Sequence, residues 1–220
     1  MRRVVAIMLA GAMLSGCVSV PKQAVSDQAV AGWQGRSIAV TERPREAMVA
    51  MTAGKAAFGL IGAAAAVESG KSIVTENGIK DPAPDVAHAL VQIAQQRYGV
   101  VPATIGPVKT DSSDIPALAA AAHGADLLID VQSLGESINY FPTNWSHYWV
   151  SSGLVLRVID VRSGMVLGGG MCHRDSRKEA SPPTRDDLLA AHAELLKTML
   201  GVQWDSCRDE LAQKFLPTKG

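Results

Sequence analysis

The chain has 220 residues, and its 21 basic and 21 acidic side chains give a formal net charge of zero. No basic run or stripe interrupts this balance, which excludes an electrostatic reason to expect nucleic-acid binding. Hydrophobic residues make up 47% of the chain, so one domain with a substantial core is expected.

The N-terminus has the three parts of an export signal. Two arginines follow the initiator, an apolar run extends from Val4 to Leu14, and small residues then lead to Cys17. The apolar run is about 11 residues long, whereas a helix that spans a bilayer needs about 20. Residues 1–16 are therefore predicted to be a signal peptide that is removed on export.

The residues up to the first cysteine, Leu14-Ser15-Gly16-Cys17, resemble the lipobox of bacterial lipoproteins, in which an apolar and two small residues precede an invariant cysteine. The resemblance implies cleavage before Cys17 and a covalent lipid on that residue, with no other cofactor. Val18 follows, and not the aspartate that retains such proteins at the inner membrane. The resemblance therefore implies anchoring to the outer membrane, facing the periplasm. The alternative is an ordinary export signal with a chance cysteine.

The mature chain would begin at residue 17. Residues 17–34 mix serine, glutamine, proline and small residues without periodicity, which predicts a flexible tether behind the lipidated cysteine. Residues 35–220 are predicted to form a single domain, because strand and helix patterns continue through them without a second linker.

Two cysteines remain once the first carries a lipid. The periplasm is oxidising, so Cys172 and Cys207 are predicted to form a disulfide that closes a loop of about 35 residues. Free thiols are one alternative, and a metal or redox site of Cys172 with the adjacent His173 is another. The metal site is favoured least, because the sequence has no C-x-x-C and no second histidine at ligand spacing.

The domain begins with a strand predicted over residues 36–42. Residues 46–67 come next and are rich in alanine, glycine and methionine, with Lys55 as the only charge between Ala47 and Val67. This composition favours a buried helix or helix pair, because small residues let another backbone approach closely. The alternative is a helix or hairpin that lies on, or inserts into, the membrane.

The rest of the chain alternates helices and strands after a predicted loop at 68–84. Helices are predicted where apolar residues recur every three or four positions, and strands where apolar runs are bounded by turn signals. The predicted helices are 85–98, 113–123, 184–200 and 204–215, and the predicted strands begin at 100 and cover 125–132, 147–161 and 165–173. The sequence therefore predicts an α/β (α+β) fold. It would have a mixed sheet of about four to five strands with helices packed on it, plus the Ala/Gly-rich helical segment.

Two motifs resemble those of known envelope lipoproteins. Gly124-Ala125-Asp126 precedes an apolar strand, and residues 158–164, Val-Ile-Asp-Val-Arg-Ser-Gly, join two strands. This pattern, over residues 85–201, resembles the curli-secretion lipoproteins, the amino-terminal domain of the Tol-Pal system's β-propeller protein, and the penicillin-binding-protein activator lipoproteins. The resemblance implies an assembly or scaffolding module with a protein partner or a homo-oligomer, and it assigns no catalytic residue.

Half of the ten aromatic residues of the chain fall in one short stretch, whose centre, Pro142-Thr143-Asn144, predicts a turn or loop. The predicted binding surface consists of Tyr140, Phe141, Trp145, His147, Tyr148 and Trp149. Aromatic side chains on a loop offer a large contact area at low entropic cost, so this loop would engage a protein, a glycan or the membrane interface. The alternative, which is favoured, is that Tyr148 and Trp149 enter the sheet and the others pack over its end.

Patterns that carry catalytic chemistry are missing from the sequence. The five histidines are scattered, no Gly-x-Ser-x-Gly or His-Glu-x-x-His occurs, and the three glycines at 168–170 lack the lysine of a phosphate loop. No catalytic residue and no metal site are therefore predicted. The leading hypothesis is a non-enzymatic envelope lipoprotein that binds a protein partner or forms homo-oligomers. A ligand-binding or membrane-inserting lipoprotein, using residues 140–149 or 46–67, is the second hypothesis, and a hydrolase or metal enzyme is the third.

Overall fold

The computed structural model describes residues 22–218, so the predicted signal peptide and Cys17 lie outside the described residues. Its helices are α1 (Asp27–Ala31), α2 (Ala53–Ala56), α3 (Gly59–Asn77), α4 (Pro82–Tyr98), α5 (Ile115–Ala121) and α6 (Arg185–Phe215). Its strands are β1 (Ser37–Glu42), β2 (Val49–Met51), β3 (Val101–Pro102), β4 (Val108–Lys109), β5 (Leu127–Phe141), β6 (Asn144–Asp160) and β7 (Met165–Asp175).

One mixed sheet organises the fold. Its strand order is β3-β1-β5-β6-β7, with β2 beside the far half of β5 and β4 beside the end of β1. The pairings of β1 with β3, β4 and β5, and of β2 with β5, are parallel, whereas β5, β6 and β7 form an antiparallel meander. The predicted α/β class is confirmed. The sheet has seven strands because β2 and β4, of three and two residues, join the predicted strands.

The central strand pair is longer than predicted. β5 continues past its predicted end to Phe141 and pairs with β6 along almost its whole length. A bulge between Ser133 and Glu136 lets the strand pass through its Ser-Leu-Gly interruption without ending. The long pair therefore carries residues 140–149 beyond the part of the sheet that β1 and β7 cover.

The main core lies between the sheet and the helices α1, α4 and α6. Trp33 is fully buried there, and its indole meets the ring of Tyr98 edge-on, with 5.1 Å between the ring centres. Val25 and Val30 belong to the same core. Residues 22–34 are therefore packed, and the prediction of a flexible tether is wrong for them, because these side chains supply apolar surface that is worth burying.

The predicted loop at 68–84 is also wrong. α3 runs on to Asn77, and α4 begins at Pro82 behind the N-cap Asp81, whose carboxylate accepts the backbone N–H of Ala83. Most of the polar residues that suggested a loop lie on the water-facing side of α3, where they do not interrupt a helix. The connection between the two helices is consequently only four residues long.

The last helix is interrupted at a different place from the predicted one. The three residues from Ala191 to Ala193 have positive φ angles, a left-handed conformation that is unfavourable for residues with a Cβ. After them α6 runs without a break to its end. The predicted break after Leu200 is wrong, because Leu200, Gln203 and Cys207 form one continuous buried stripe.

Candidate interaction surface

The predicted apolar segment 46–67 folds as a strand and a helical hairpin. β2 pairs with β5, and the hydroxyl of Thr52 caps α2 by accepting the backbone N–H of Lys55. α3 then returns along β2, and a Cβ on Gly70 would lie 1.9 Å from the Met48 carbonyl oxygen, so this contact requires glycine. The Lys55 ammonium turns inward and donates hydrogen bonds to the Ala50 carbonyl oxygen in β2 and to the Ser69 hydroxyl in α3.

The turn of this helical hairpin is exposed. Phe58, Leu60 and Ile61 are 71%, 90% and 78% exposed, and no polar side chain occurs in the twelve residues after Lys55. The favoured prediction of a buried helix is wrong for these residues, because only a narrow stripe of small residues in α3 faces the domain. We call residues 56–61 the apolar tip. In the part of the chain that the structure describes, no helix is long and apolar enough to cross a membrane.

The predicted aromatic loop is a β-hairpin. β5 and β6 pair up to Phe141 and Asn144, and only Pro142 and Thr143 form the turn. The predicted turn is confirmed at Pro142 and Thr143, but it is shorter than predicted because the flanking aromatic residues continue the strands, as residues of high β-propensity do. We call residues 140–149 the aromatic hairpin.

Two tryptophans of the aromatic hairpin face outward to different degrees. Trp145 is 68% exposed, and its indole N–H donates a hydrogen bond to the Pro142 carbonyl oxygen at 3.0 Å. Trp149 is half-buried, and the Arg177 guanidinium lies 4.9 Å from its ring centre, within the range of a cation–π contact. Trp145 is therefore the more exposed of the two.

The other residues of the predicted surface lie in or beside the core. Tyr148 is buried in a cluster with side chains of β2, α3 and α6, and Tyr140 packs against that cluster. Phe141 and His147 are half-buried. The six aromatic and histidine side chains therefore do not form one continuous binding surface.

The apolar tip and the aromatic hairpin lie at the same end of the molecule. β2 and β5 run in parallel with Met51 opposite Asn139, and both strands end within two residues of that pair. Gly70 lies level with Met48, and a helix rises 1.5 Å per residue. Leu60 is therefore about 15 Å further along α3, level with the hairpin turn. The exposed apolar side chains that share this apolar end are Phe58, Leu60, Ile61 and Trp145.

A buried ion network holds the other half of the sheet together. Asp130 is wholly buried, and its carboxylate accepts hydrogen bonds from Arg43 Nε at 2.6 Å, Arg157 Nε at 2.7 Å and the Thr41 hydroxyl at 2.8 Å. Both guanidinium groups also donate to the backbone carbonyls at 112 and 113. Both carboxylate oxygens are thus hydrogen-bonded, and Asp130 joins strands β1, β5 and β6. The only feature of the sequence that could have indicated this network is an aspartate inside an apolar predicted strand.

A second buried carboxylate lies nearer the apolar end. The Glu136 side chain is buried and accepts a hydrogen bond from Arg45 at 2.7 Å. Burial raises the pKa of Glu136, and the positive charge of Arg45 opposes that rise. Carboxyl groups with a shifted pKa are common at catalytic sites, but the Glu136 carboxylate is already paired with an arginine.

Three cavities with volumes of about 230, 350 and 400 Å³ open on the described surface. The first lies between α4 and α6, the second beside β1 and β4, and the third beside α5. Pockets for small molecules usually range from about 300 to 1,000 Å³, so the first cavity is below this range and the other two are at its lower end. None of these three is lined by the apolar tip or the aromatic hairpin.

The cysteines are tied to each other and not to a metal. Cys172 and Cys207 form a disulfide that joins β7 to α6, with 5.4 Å between their Cα atoms. His173, the neighbour considered for a metal site, is exposed. Within residues 22–218, no group of three His, Cys, Asp or Glu side chains is placed to hold a metal ion. Cys17, the predicted lipid site, lies outside the described residues.

Comparison with known proteins gives only remote similarities. No family model matches the chain, and no curated protein matches it. Among solved structures, the hypothetical protein CT253 from Chlamydia trachomatis is 13% identical, with 80% of this chain and 93% of that chain covered and a TM-score of 0.33. The PelC dodecamer from Paraburkholderia phytofirmans is 12% identical, with 92% and 99% covered and a TM-score of 0.34.

A bacterial lipoprotein is also among the similar structures. Lipoprotein GNA1162 from Neisseria meningitidis is 14% identical, with 78% of this chain and 99% of that chain covered and a TM-score of 0.28. Similarity at this level does not by itself establish a common fold or a common function.

Proposed function

We propose that the chain is a cell-envelope lipoprotein, anchored to the outer membrane by a lipid on Cys17 and facing the periplasm, that serves as a non-enzymatic interaction or assembly module. The lipobox resemblance at residues 14–17 supports the anchor. The exposed apolar end carries the proposal of an interaction module. Large apolar side chains grouped at one end of a domain are unfavourable in water, and such patches mark surfaces that another molecule covers.

The bonding of the reactive groups supports a role without catalysis. The buried carboxylates of Asp130 and Glu136 pair with arginines, and Cys172 and Cys207 are bonded to each other. General acid–base catalysis needs a carboxyl group free to exchange a proton, and thiol chemistry needs a free thiolate. These groups therefore favour structural roles.

Mass spectrometry of the mature N-terminus tests the anchor. The wild-type protein should begin at residue 17 and carry the mass of a diacylglyceryl group and an acyl chain, and it should fractionate with the outer membrane. The Cys17→Ser variant should lack the added mass and leave that fraction. An unmodified wild-type N-terminus would refute the proposal.

Thiol labelling tests whether the apolar end is covered in the cell envelope. The native cysteines are taken up by the lipid and the disulfide, so Leu60→Cys would supply the one free thiol. A polar maleimide should react at least about tenfold more slowly with it in intact envelopes than in the purified, delipidated protein, a difference of about 1.4 kcal/mol. Val202→Cys, at a position 66% exposed on α6, serves as the matched control and should react equally in both. A Leu60→Cys thiol that reacts equally fast in intact envelopes and in the purified protein would contradict the proposed contact surface.

A further inference from the structure

We infer that the apolar tip inserts into the surface of a lipid bilayer. The inference rests on the proposed function, since an anchored domain keeps the tip beside a membrane. A protein that docks on the tip is the competing occupant. Three features of the described residues and the length of the chain before them favour lipid.

The first feature is the distribution of apolar side chains around α3. At about 100° per residue, the exposed residues Leu60, Ile61, Ala63, Ala64 and Ala65 cover more than half of the helix circumference. A helix that docks in a protein groove presents one apolar stripe, whereas a helix end that enters lipid is apolar on all its free sides. Polar side chains begin only in the third turn, so α3 is apolar at one end and not along one face.

The second feature is the apolar area of the tip. Complete coverage of Phe58, Leu60 and Ile61 would remove on the order of 450 Å² of apolar surface from water. The free energy of transfer into a bilayer scales with this area. The tip is therefore large enough to stabilise insertion.

The third feature is Trp145 at the same end of the molecule. Its ring is exposed, while its indole N–H is already bonded to the Pro142 carbonyl oxygen. Tryptophan is enriched where hydrocarbon meets headgroups, because its ring is apolar and its edge is polar. An exposed tryptophan beside an aliphatic tip is the arrangement expected at that depth.

The length of the chain before the described residues sets the geometry of insertion. Gln23 forms two backbone hydrogen bonds with Gly169 on the edge of β7, and Cys17 precedes it by six residues, about 20 Å of extended chain. Gly169 pairs with Arg157, which lies about 40 Å along β6 from Asn144 at the hairpin turn. Because this reach is about half of that separation, the anchor and the tip reach one bilayer when the domain is inclined to the membrane with its apolar end lower, and the end of α3 then enters the lipid first.

Vesicle binding by the mature chain without its lipid tests the tip alone. The parent is residues 17–220 with Cys17→Ser, and binding is measured by co-sedimentation with phosphatidylethanolamine–phosphatidylglycerol vesicles. The tip variant adds three substitutions, Phe58→Ser, Leu60→Ser and Ile61→Ser. The matched control instead replaces exposed apolar residues elsewhere, Leu134→Ser, Met165→Ser and Val202→Ser. We expect the partition coefficient to fall about a hundredfold for the tip variant and less than about threefold for the control.

Several outcomes would overturn the inference. They are the absence of vesicle binding by the parent chain, equal binding by the tip variant, and an equal loss in the control. If the parent does not bind vesicles but forms an assembly that the tip variant disperses in light scattering, a second copy covers the tip. That result would leave the proposed lipoprotein function intact, since the function fails instead if the mature N-terminus carries no lipid.

A dye-labelled variant provides the test if the triple variant does not fold. Leu60→Cys carrying an environment-sensitive dye should shift its emission to the blue when vesicles are added. The same dye at Glu76→Cys, exposed at the polar end of α3, should not shift. A shift at both positions, or at neither, would contradict insertion through the tip.

Discussion

The buried carboxylate of Asp130 permits a quantitative test of how the sheet is held together. One aspartate faces two arginines, Arg43 and Arg157, and all three side chains are at most 4% exposed. Replacing Asp130 by asparagine keeps the volume of the side chain but leaves two buried guanidinium groups without a counter-charge. Removing one partner of a buried ion pair typically costs about 3–5 kcal/mol, a large part of the stability of a domain. We expect Asp130→Asn to lower the urea midpoint by roughly 1–2 M.

The matched variant is Arg157→Met, which removes one of the two cations. Asp130 then keeps Arg43 and the Thr41 hydroxyl as partners, so no buried charge is left unpaired. The expected loss is about 1–3 kcal/mol, from the hydrogen bonds to Asp130 and to the backbone carbonyl at 113. The loss for the aspartate should therefore exceed the loss for the arginine.

Urea unfolding followed by tryptophan fluorescence and by circular dichroism measures both variants against the wild-type protein. Coincident curves from the two probes establish that each transition is two-state. An equal or larger loss for Arg157→Met than for Asp130→Asn would refute the reasoning, because it would mean that the second arginine is not left without a counter-charge. A wild-type midpoint for Asp130→Asn would refute it as well.

The remaining predictions concern the other bonded groups. Replacing Cys172 and Cys207 together by alanine should cost about 3–4 kcal/mol of unfolding free energy, because the open chain regains the entropy of a 35-residue loop; a wild-type midpoint would contradict it. Hydrogen bonds from a backbone N–H and a hydroxyl hold the pKa of Asp126 below its usual value. Its carboxylate therefore stabilises the fold above about pH 4, and this is lost as the pH falls through the lowered pKa. Asp126→Asn should cost about 1 kcal/mol at pH 7, since water screens the partly exposed group, and this cost should shrink as the pH falls through the lowered pKa. Gly168→Ala places a Cβ 2.6 Å from a backbone nitrogen of the N-terminal segment, so hydrogen exchange of residues 23–25 should accelerate, whereas Gly106→Ala meets open space and should leave it unchanged.

Elements with a complete local signal could be predicted from the sequence. The helix that ends at Tyr98 has apolar residues at helical spacing and a glycine after its last turn, and α4 ends there. The strands around Arg162 to Gly164 are apolar runs joined by a turn signal, and β6 and β7 meet there. In both places the stabilising groups lie within a few residues of each other along the chain.

Features that depend on distant residues could not be predicted. β2 has three residues and exists because β5 continues far enough to pair with it. The ion network joins Asp130 to Arg43 across 87 positions, and no spacing rule connects them. The exposure of the apolar tip is of the same kind. Composition showed that residues 46–67 are mostly apolar. Which of them the domain buries depends on how α3 returns along β2.

The packing of the N-terminal segment changes what an anchor at Cys17 would do. A flexible tether of eighteen residues would let the domain rotate freely at the membrane, whereas a segment bonded to β7 at Gln23 allows Cys17 to lie at most about 20 Å from Gln23. Trp33 and Val25 bind this segment to the core, so its release is opposed by the burial of both side chains. A short anchor leaves the domain few orientations, and a second contact through the apolar tip would select among them. If the proposed anchor and the inferred insertion both hold, the N-terminal edge and the apolar end act together to attach the domain. A substitution that releases the N-terminal segment should then allow the domain more orientations at the membrane while leaving the apolar tip unchanged.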